Sequence, residues 1–344
     1  MSSQDGGKSQ PGATKFSRRA MLATSGALVG VAGAAYMARS LRHKAGVFIA
    51  RNQRYDGPLE QTIRDGLIAT GLDPALLRGK RVLLKPNLVE PTRKSPHMTT
   101  HPSMILAAAE VFRRWDATVT VGEGPGHIRD TEFALIESGV QEALDSANLS
   151  FADLNYEEIG FVSNAGKASQ LKGFFFPQTV IESDLVVSMP KMKTHHWVGF
   201  TASLKNLYGV IPGIKYGWPK NVLHYNGIPQ TVFDINASLP KSISIIDGIV
   251  GMEGDGPIMG TAKAMGLVIV GTNPTAVDAT VGRIMGLEPT RVSYLSLAGG
   301  KLGPLDERSI EQFGESWQSV ASPFQIIDYA PLQQLRVTPG KMES

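Results

Sequence analysis

The sequence predicts an α/β fold: a mostly parallel sheet, Rossmann-like, with flanking helices, in one or two lobes. Three observations predict it. Short apolar runs of strand length alternate with segments of helical period along residues 46–147, the pattern of a parallel sheet with helices on its faces. The runs at 81–85 and 184–188 read as buried strands. Polar or glycine-rich loops follow several of these runs, where parallel sheets bind ligands, beyond the carboxyl ends of the strands.

In chain order, 46–50 is a strand and 57–71 a helix with Pro58 in its first turn and Ile63, Leu67 and Ile68 on one face. Strand 81–85 ends in Lys85-Pro86-Asn87. A helix starts at His101-Pro102 and runs to Arg114. Strand 117–121 leads into Gly122-Glu123-Gly124. A helix over 131–147 places Leu135, Ile136, Val140 and Leu144 at helical spacing. Residues 151–176 hold strand-like pieces that suggest an antiparallel excursion, and 177–182 a short helix before strand 184–188. Residues 199–208 read as a helix or loop. The Pro-, Gly-, Tyr- and Trp-rich stretch 212–229 reads as a flap, because long unpatterned loops tend to be functional or disordered. Then come a helix over 230–239, strands at 242–246 and 264–270, a helix capped by Asn273 and ending near Gly286, and a last helix over 291–298. The expected organisation is a polar leader and export signal over 1–44, a first α/β lobe over 45–148, a second over 149–330, and a tail over 331–344.

The chain has 344 residues and no cysteine. That excludes disulfides, thiolate zinc sites, a cysteine nucleophile and a cysteine-ligated iron–sulfur cluster. Any metal would rely on His, Asp, Glu or backbone oxygen. The formal charge of +3 is unevenly spread. Residues 1–44 carry seven Lys and Arg against Asp5, a net of +6, which leaves −3 for the rest. A mildly acidic body gives no electrostatic case for nucleic-acid binding.

Residues 1–17 are polar and expected to be disordered. Arg18-Arg19-Ala20-Met21-Leu22 opens an apolar, Gly/Ala-rich run to Ala38, which resembles a twin-arginine (Tat) export signal. The expected partner is the twin-arginine translocation machinery, and the expected location is periplasmic or extracytoplasmic. Small residues at Ala32, Ala34 and Ala35 offer a cleavage site. Uncleaved, residues 20–38 are near the length that spans a bilayer and would anchor the chain.

The chemistry centres on 189–213, which packs Lys191, Lys193, His195, His196, Lys205 and Asn206 into a short span after a strand. If the segment is extended, Lys191, Lys193 and His195 share a face, where they would neutralise an anion and carry a proton, and His196 points away in a structural role. Four post-strand loops then converge if their strands are parallel: Lys85 with Asn87, Glu123 between two glycines, Lys191 with Lys193, and Asp247-Gly248 with Glu253 to Gly256. His195, Glu123 and Lys193 are the candidate catalytic residues. Lys85, Asn87, Lys191, Lys205, Asn206, Asp247 and Gly248 are the candidate substrate-binding residues, and Glu253 and Asp255 would supply oxygens to a divalent metal. Pairing of these acids with the lysines is the competing reading. Asp278 reads equally as a sheet-edge group or a helix surface charge. No nucleophile elbow or Walker motif is present.

The segments LLKPNLV, VGEGPG, PKMKTH with SLKNLYG, IIDGIVGMEGDGP and GTNPTAVDA, in this order, resemble the domain-of-unknown-function family 362 over about residues 46–300. The resemblance implies that Lys85, Asn87, Glu123, Lys191, Lys193, His195, Lys205, Asn206, Asp247, Gly248, Glu253, Gly254 and Asp278 form a shared site. It implies no activity. The iron–sulfur labels given to cysteine-bearing members do not carry over to this chain. The expected function is an exported α/β enzyme acting on a small anionic substrate by Lys/His/Glu acid–base chemistry, of isomerase, racemase or lyase type. The alternatives are a periplasmic binding or carrier protein for an anion or metal, and a redox protein loaded with a cofactor.

Overall fold

The structure, a computed structural model, describes residues 44–337. The expected leader and export signal lie outside the described residues, as does the end of the tail.

The strands are β1 (Ala45–Ala50), β2 (Arg81–Lys85), β3 (Thr118–Glu123), β4 (Ser150–Asp153), β5 (Ile159–Ser163), β6 (Gly173–Pro177), β7 (Leu185–Ser188), β8 (Lys191–His195), β9 (Gly199–Thr201), β10 (Ser242–Glu253), β11 (Thr261–Gly271) and β12 (Ile310–Gly314). Ten of them form one mixed sheet, in the order β12-β1-β11-β10-β7-β2-β3-β4, with β8 beside β10 and β9 beside β8. The run β10-β7-β2-β3-β4 is parallel throughout. It includes strands from before and after position 148. β5 and β6 form the separate antiparallel hairpin expected of the middle segment.

The sheet is covered on both faces, so its inner strands are apolar on both sides. Along β2, Leu83 packs into one core while Val82 and Leu84 pack into the other. Helices Leu59–Ala69 and Pro102–Arg114 bury residues in the second core, and helices Ile228–Ser238, Pro274–Ile284 and Ser293–Ala298 in the first.

Three details differ from the sequence reading. The helix expected over 131–147 is two, Thr131–Ser138 and Val140–Ser146, because Gly139 between them adopts φ 73° and ends the first. β10 does not stop at residue 246. It runs to Glu253, because β11 returns antiparallel beside it and extends the ladder past Asp247, with a register shift between Gly248 and Val250. The flap 212–229 is built of short helices, Gly213–Tyr216 and Asn221–Tyr225.

Candidate functional site

The carboxyl ends of β2 and β3 set the site. Their parallel register brings Lys85 and Glu123 to the same edge. Lys85 Nζ and Glu123 Oε2 lie 2.6 Å apart, both nearly without solvent contact. Glu123 has no oxygen to spare. Oε2 also accepts from the Leu88 amide at 3.1 Å, and Oε1 accepts from the Gly124 amide at 2.8 Å. Lys85 donates as well to the Pro86 carbonyl at 2.7 Å and approaches Asn206 Oδ1 at 3.4 Å. Asn206 in turn donates through Nδ2 to the Lys85 carbonyl and to Ser188 Oγ. Residue 209 passes so close that a Cβ there would sit 2.6 Å from Lys85 Nζ, so glycine is required.

Above this knot opens a cavity of about 260 Å³. Its lining includes Lys85, Asn87, Glu123, His127, His195, His196, Trp197, Lys205, Asn206, Tyr208, Lys220 and His224. Lys205 rises from the helix Ser203–Asn206, with its ammonium 4.4 Å from the centre of the Tyr208 ring. Burial, and then the charge of Lys85, lowers its pKa to about 8. Lys220, at φ 68° in the left-handed region, leads into the helix Asn221–Tyr225. Its ammonium donates to the carbonyls of Gly124 at 2.9 Å and Gly209 at 3.1 Å, and burial pulls its pKa down to about 7. Among the described residues neither ammonium forms an ion pair, although the Glu123 charge partly offsets the burial of Lys220, and Glu123 is the one acid in the lining. The cavity therefore carries an excess of cation.

Three histidines there are held neutral at pH 7. Burial, and then nearby cations, push His195 well below its ordinary value and His224 down to about 4; His127 is lowered by burial first. His195 Nδ1 accepts from the Trp197 amide at 3.2 Å. In the neutral ring the proton then sits on Nε2, so His195 is a hydrogen-bond donor to a ligand. Asn87 Oδ1 is buried with no hydrogen-bond partner.

The other expected site residues go elsewhere. β8 is an extended strand, as expected, but the alternation does not deliver Lys191, Lys193 and His195 to one cavity. The strand is buried end to end between β10 and β9, so each side chain meets a different neighbour. Lys191 forms a fully buried ion pair with Asp247, 2.6 Å, joined by Tyr55, whose hydroxyl accepts from Lys191 and donates to Asp247 Oδ1 at 3.0 Å. The His101 amide donates to Asp247 Oδ2, and the His101 ring stacks on Tyr55 at 3.8 Å. Neither Lys191 nor Asp247 lines the cavity. Gly248 pairs with Leu267 inside the β10–β11 ladder. Lys193 donates to the Met98 carbonyl at 2.9 Å, and burial with its cationic neighbours lowers its pKa well below the ordinary value.

His196, read as structural, lines the cavity, because β8 ends at His195 and the chain turns there. Its Nδ1 lies 3.2 Å from Asp255. Glu253 pairs with Lys263 at 3.0 Å and accepts from the Gln325 amide. Gly254 at φ 86° turns the chain between the two acids. Among the described residues no group of three or more His, Asp or Glu is placed to hold a metal ion together, so Glu253 and Asp255 do not assemble one. Asp278 is buried on helix Pro274–Ile284 and accepts the amides of Ser203 at 2.7 Å and Leu204 at 2.9 Å. Burial raises its pKa to about 7 against the pull of these donors. It holds the start of the segment that carries Lys205 and Asn206.

The reading from sequence missed His127, Trp197, Tyr208, Lys220 and His224. For Lys220 and His224 the signal was present: both lie in the unpatterned stretch 212–229, read as functional but without naming its residues.

Residues 82–283 match a family described as "Domain of unknown function (DUF362)". A thylakoid-associated protein of Synechocystis sp. is 26% identical over 256 residues, 73% of this chain and 77% of that protein. Among solved structures, the lactate racemase apoprotein from Thermoanaerobacterium thermosaccharolyticum aligns with a TM-score of 0.45 at 13% identity, over 71% of this chain. The match spans 58% of that structure's chain.

Proposed function

The chain belongs to the DUF362 family, and from that premise we propose that it is an enzyme acting on a small carboxylate or phosphate by proton transfer, of isomerase, racemase or lyase type. The observation that carries this is the imbalance of charge in the cavity. Among the described lining residues its one carboxylate, Glu123, is engaged by Lys85 and two amides; Lys205 forms no ion pair, and Lys220 forms none within 4 Å although the Glu123 charge reaches it, so three lysines share one acid. Buried cations without counter-charge are costly, and an anionic ligand relieves that cost.

Lys205 and Lys220 hold the acid group. His195 donates from Nε2 to an oxygen of the substrate and stabilises the charge that develops there as a proton leaves the neighbouring carbon. The base is His224, whose ring, lowered to about 4 by burial and then by nearby cations, is unprotonated at pH 7. Glu123, first read as half of an acid–base pair, fits a fixed counter-charge for Lys85 better, since both its oxygens are engaged.

The test pairs binding with chemistry. Thermal shifts with inorganic phosphate and a panel of small carboxylates should exceed those with chloride at equal ionic strength, and Lys205→Met should remove the excess. Proton NMR of the panel in D2O should then show loss of a carbon-bound proton with the native protein only. Shifts equal to chloride's, unchanged by Lys205→Met, would overturn the anion site; anion binding without any exchange would favour a carrier.

Export by the twin-arginine route belongs to the same reading and rests on Arg18, Arg19 and the apolar run after them. Changing both arginines to lysine should retain the chain in the cytoplasm on cell fractionation; unchanged export would remove that assignment.

A further inference from the structure

We infer that the substrate is an amphiphile: an anionic head seated at Lys205 and Lys220, continued by an apolar chain or ring that leaves the cavity past Trp197 and Ile258. This rests on the anion site proposed above and names the other half of the molecule bound there.

The cavity wall is divided. Its cations come from Lys85, Lys205 and Lys220, while Leu88, Val89, Trp197, Pro219, Pro257 and Ile258 supply apolar surface. Trp197 both lines the cavity and stands 57% exposed. Its ring is braced, 5.3 Å from the ring of His224, so it offers a fixed face to whatever passes. Among the described residues, the two most exposed large apolar side chains are Tyr225, 90%, and Met259, 76%. Each directly follows a lining residue, His224 and Ile258. Exposed apolar side chains therefore adjoin the lining in sequence on two separate segments, the flap helix Asn221–Tyr225 and the β10–β11 turn. Exposed apolar surface gathered about a pocket marks an interaction. A bare acid such as phosphate or acetate would fill only the cationic end and leave this surface in water. An apolar extension of the ligand would cover it.

The experiment is calorimetric titration of the full-length protein at pH 7 with acetate, hexanoate and decanoate below their aggregation concentrations. Burial of a methylene is worth about 0.8 kcal/mol, or roughly fourfold in affinity, so a partly covered chain should gain about two- to fourfold per methylene. Lys205→Met should abolish binding of all three, and Trp197→Ala should flatten the dependence on length. Met259→Ser, at a highly exposed position, gives a second reading should Trp197→Ala fail to fold.

Binding that depends on Lys205 but not on chain length would overturn the amphiphile and leave the anion site standing. A length dependence unchanged in both Trp197→Ala and Met259→Ser would also overturn it, because the chain would then lie elsewhere. No binding of any acid would overturn both readings. Co-sedimentation of the protein with phosphatidylglycerol vesicles separates the two sources of such a ligand: binding that Lys205→Met and Trp197→Ala both weaken assigns a membrane lipid, and its absence assigns a soluble amphiphile.

Discussion

Two buried lysine–carboxylate pairs stand at the strand ends of this protein, and they have opposite surroundings. Lys191–Asp247 is sealed: Tyr55 bridges both partners, the His101 amide completes Asp247, and neither partner has any exposure. Lys85–Glu123 is equally short, but it forms the floor of a cavity where, among the described residues, Lys205 and Lys220 add charge without an ion pair of their own. The first pair ends in a closed count of charges and hydrogen bonds. The second leaves cations and neutral imidazoles lining one space. The pair alone does not mark a site; the uncompensated groups around it do.

The sharpest way to break the comparison is to open the sealed pair. Asp247→Ala leaves Lys191 buried without its partner and should cost about 3–5 kcal/mol of stability, read by urea unfolding, whereas replacing Lys191 and Asp247 together by Met and Leu should recover most of it. Equal losses in the single and double variants would mean that this region contributes more than a balanced pair. At the cavity the expectation reverses. Lys205→Met removes a cation that burial already disfavours, so the melting temperature should hold or rise, while anion affinity should fall by about 30-fold or more.

Dependence on pH comes next in size. The lysine pKa values, lowered to about 8 and about 7, mean that raising the pH from 7 to 9 strips charge from Lys205 and Lys220. Anion affinity should then fall, by up to about tenfold per unit for each ammonium lost, and binding near pH 8 should take up protons, visible as a calorimetric heat that changes with the buffer. The stability of the free protein has the opposite sign. Between these lowered values and the ordinary 10.5, the unfolded chain binds more protons than the folded one, so these two lysines make stability rise with pH. The smallest effect is expected of Tyr55→Phe, which removes the hydrogen bonds bridging the sealed pair. It should cost about 1–2 kcal/mol and leave anion affinity unchanged in the same titration.

The same contrast explains what could be seen in the sequence. Strand Arg81–Lys85 and helix Pro102–Arg114 were legible to the residue, because apolar runs, a proline in the first turn and a capping side chain are local signals. Of the four post-strand loops expected to converge, those of Lys85 with Asn87 and of Glu123 do so, because their strands are parallel neighbours. Pairing of the acids with the lysines was the competing reading, and Lys191 with Asp247 realises it, but which partner each of Lys191 and Lys193 takes was not legible. Their partners, Asp247 and the Met98 carbonyl, are remote in sequence, and a strand buried on both sides gives alternation no solvent to point toward. Lys220 and His224 come from a stretch without period, so the sequence marked the segment and only the folded chain shows which of its side chains turn inward.

Asp278 gives one of these local arrangements a longer reach. Its carboxylate caps the amides of Ser203 and Leu204 from another helix altogether, so the lysine-bearing turn and the GTNPTAVDA segment are a lock and its key separated by some seventy residues of chain. A designer who grafts the 199–229 segment from a relative must bring the matching acid with it, and a lineage that loses the acid must rebuild the turn. The two stretches are one structural unit, although the chain writes them far apart.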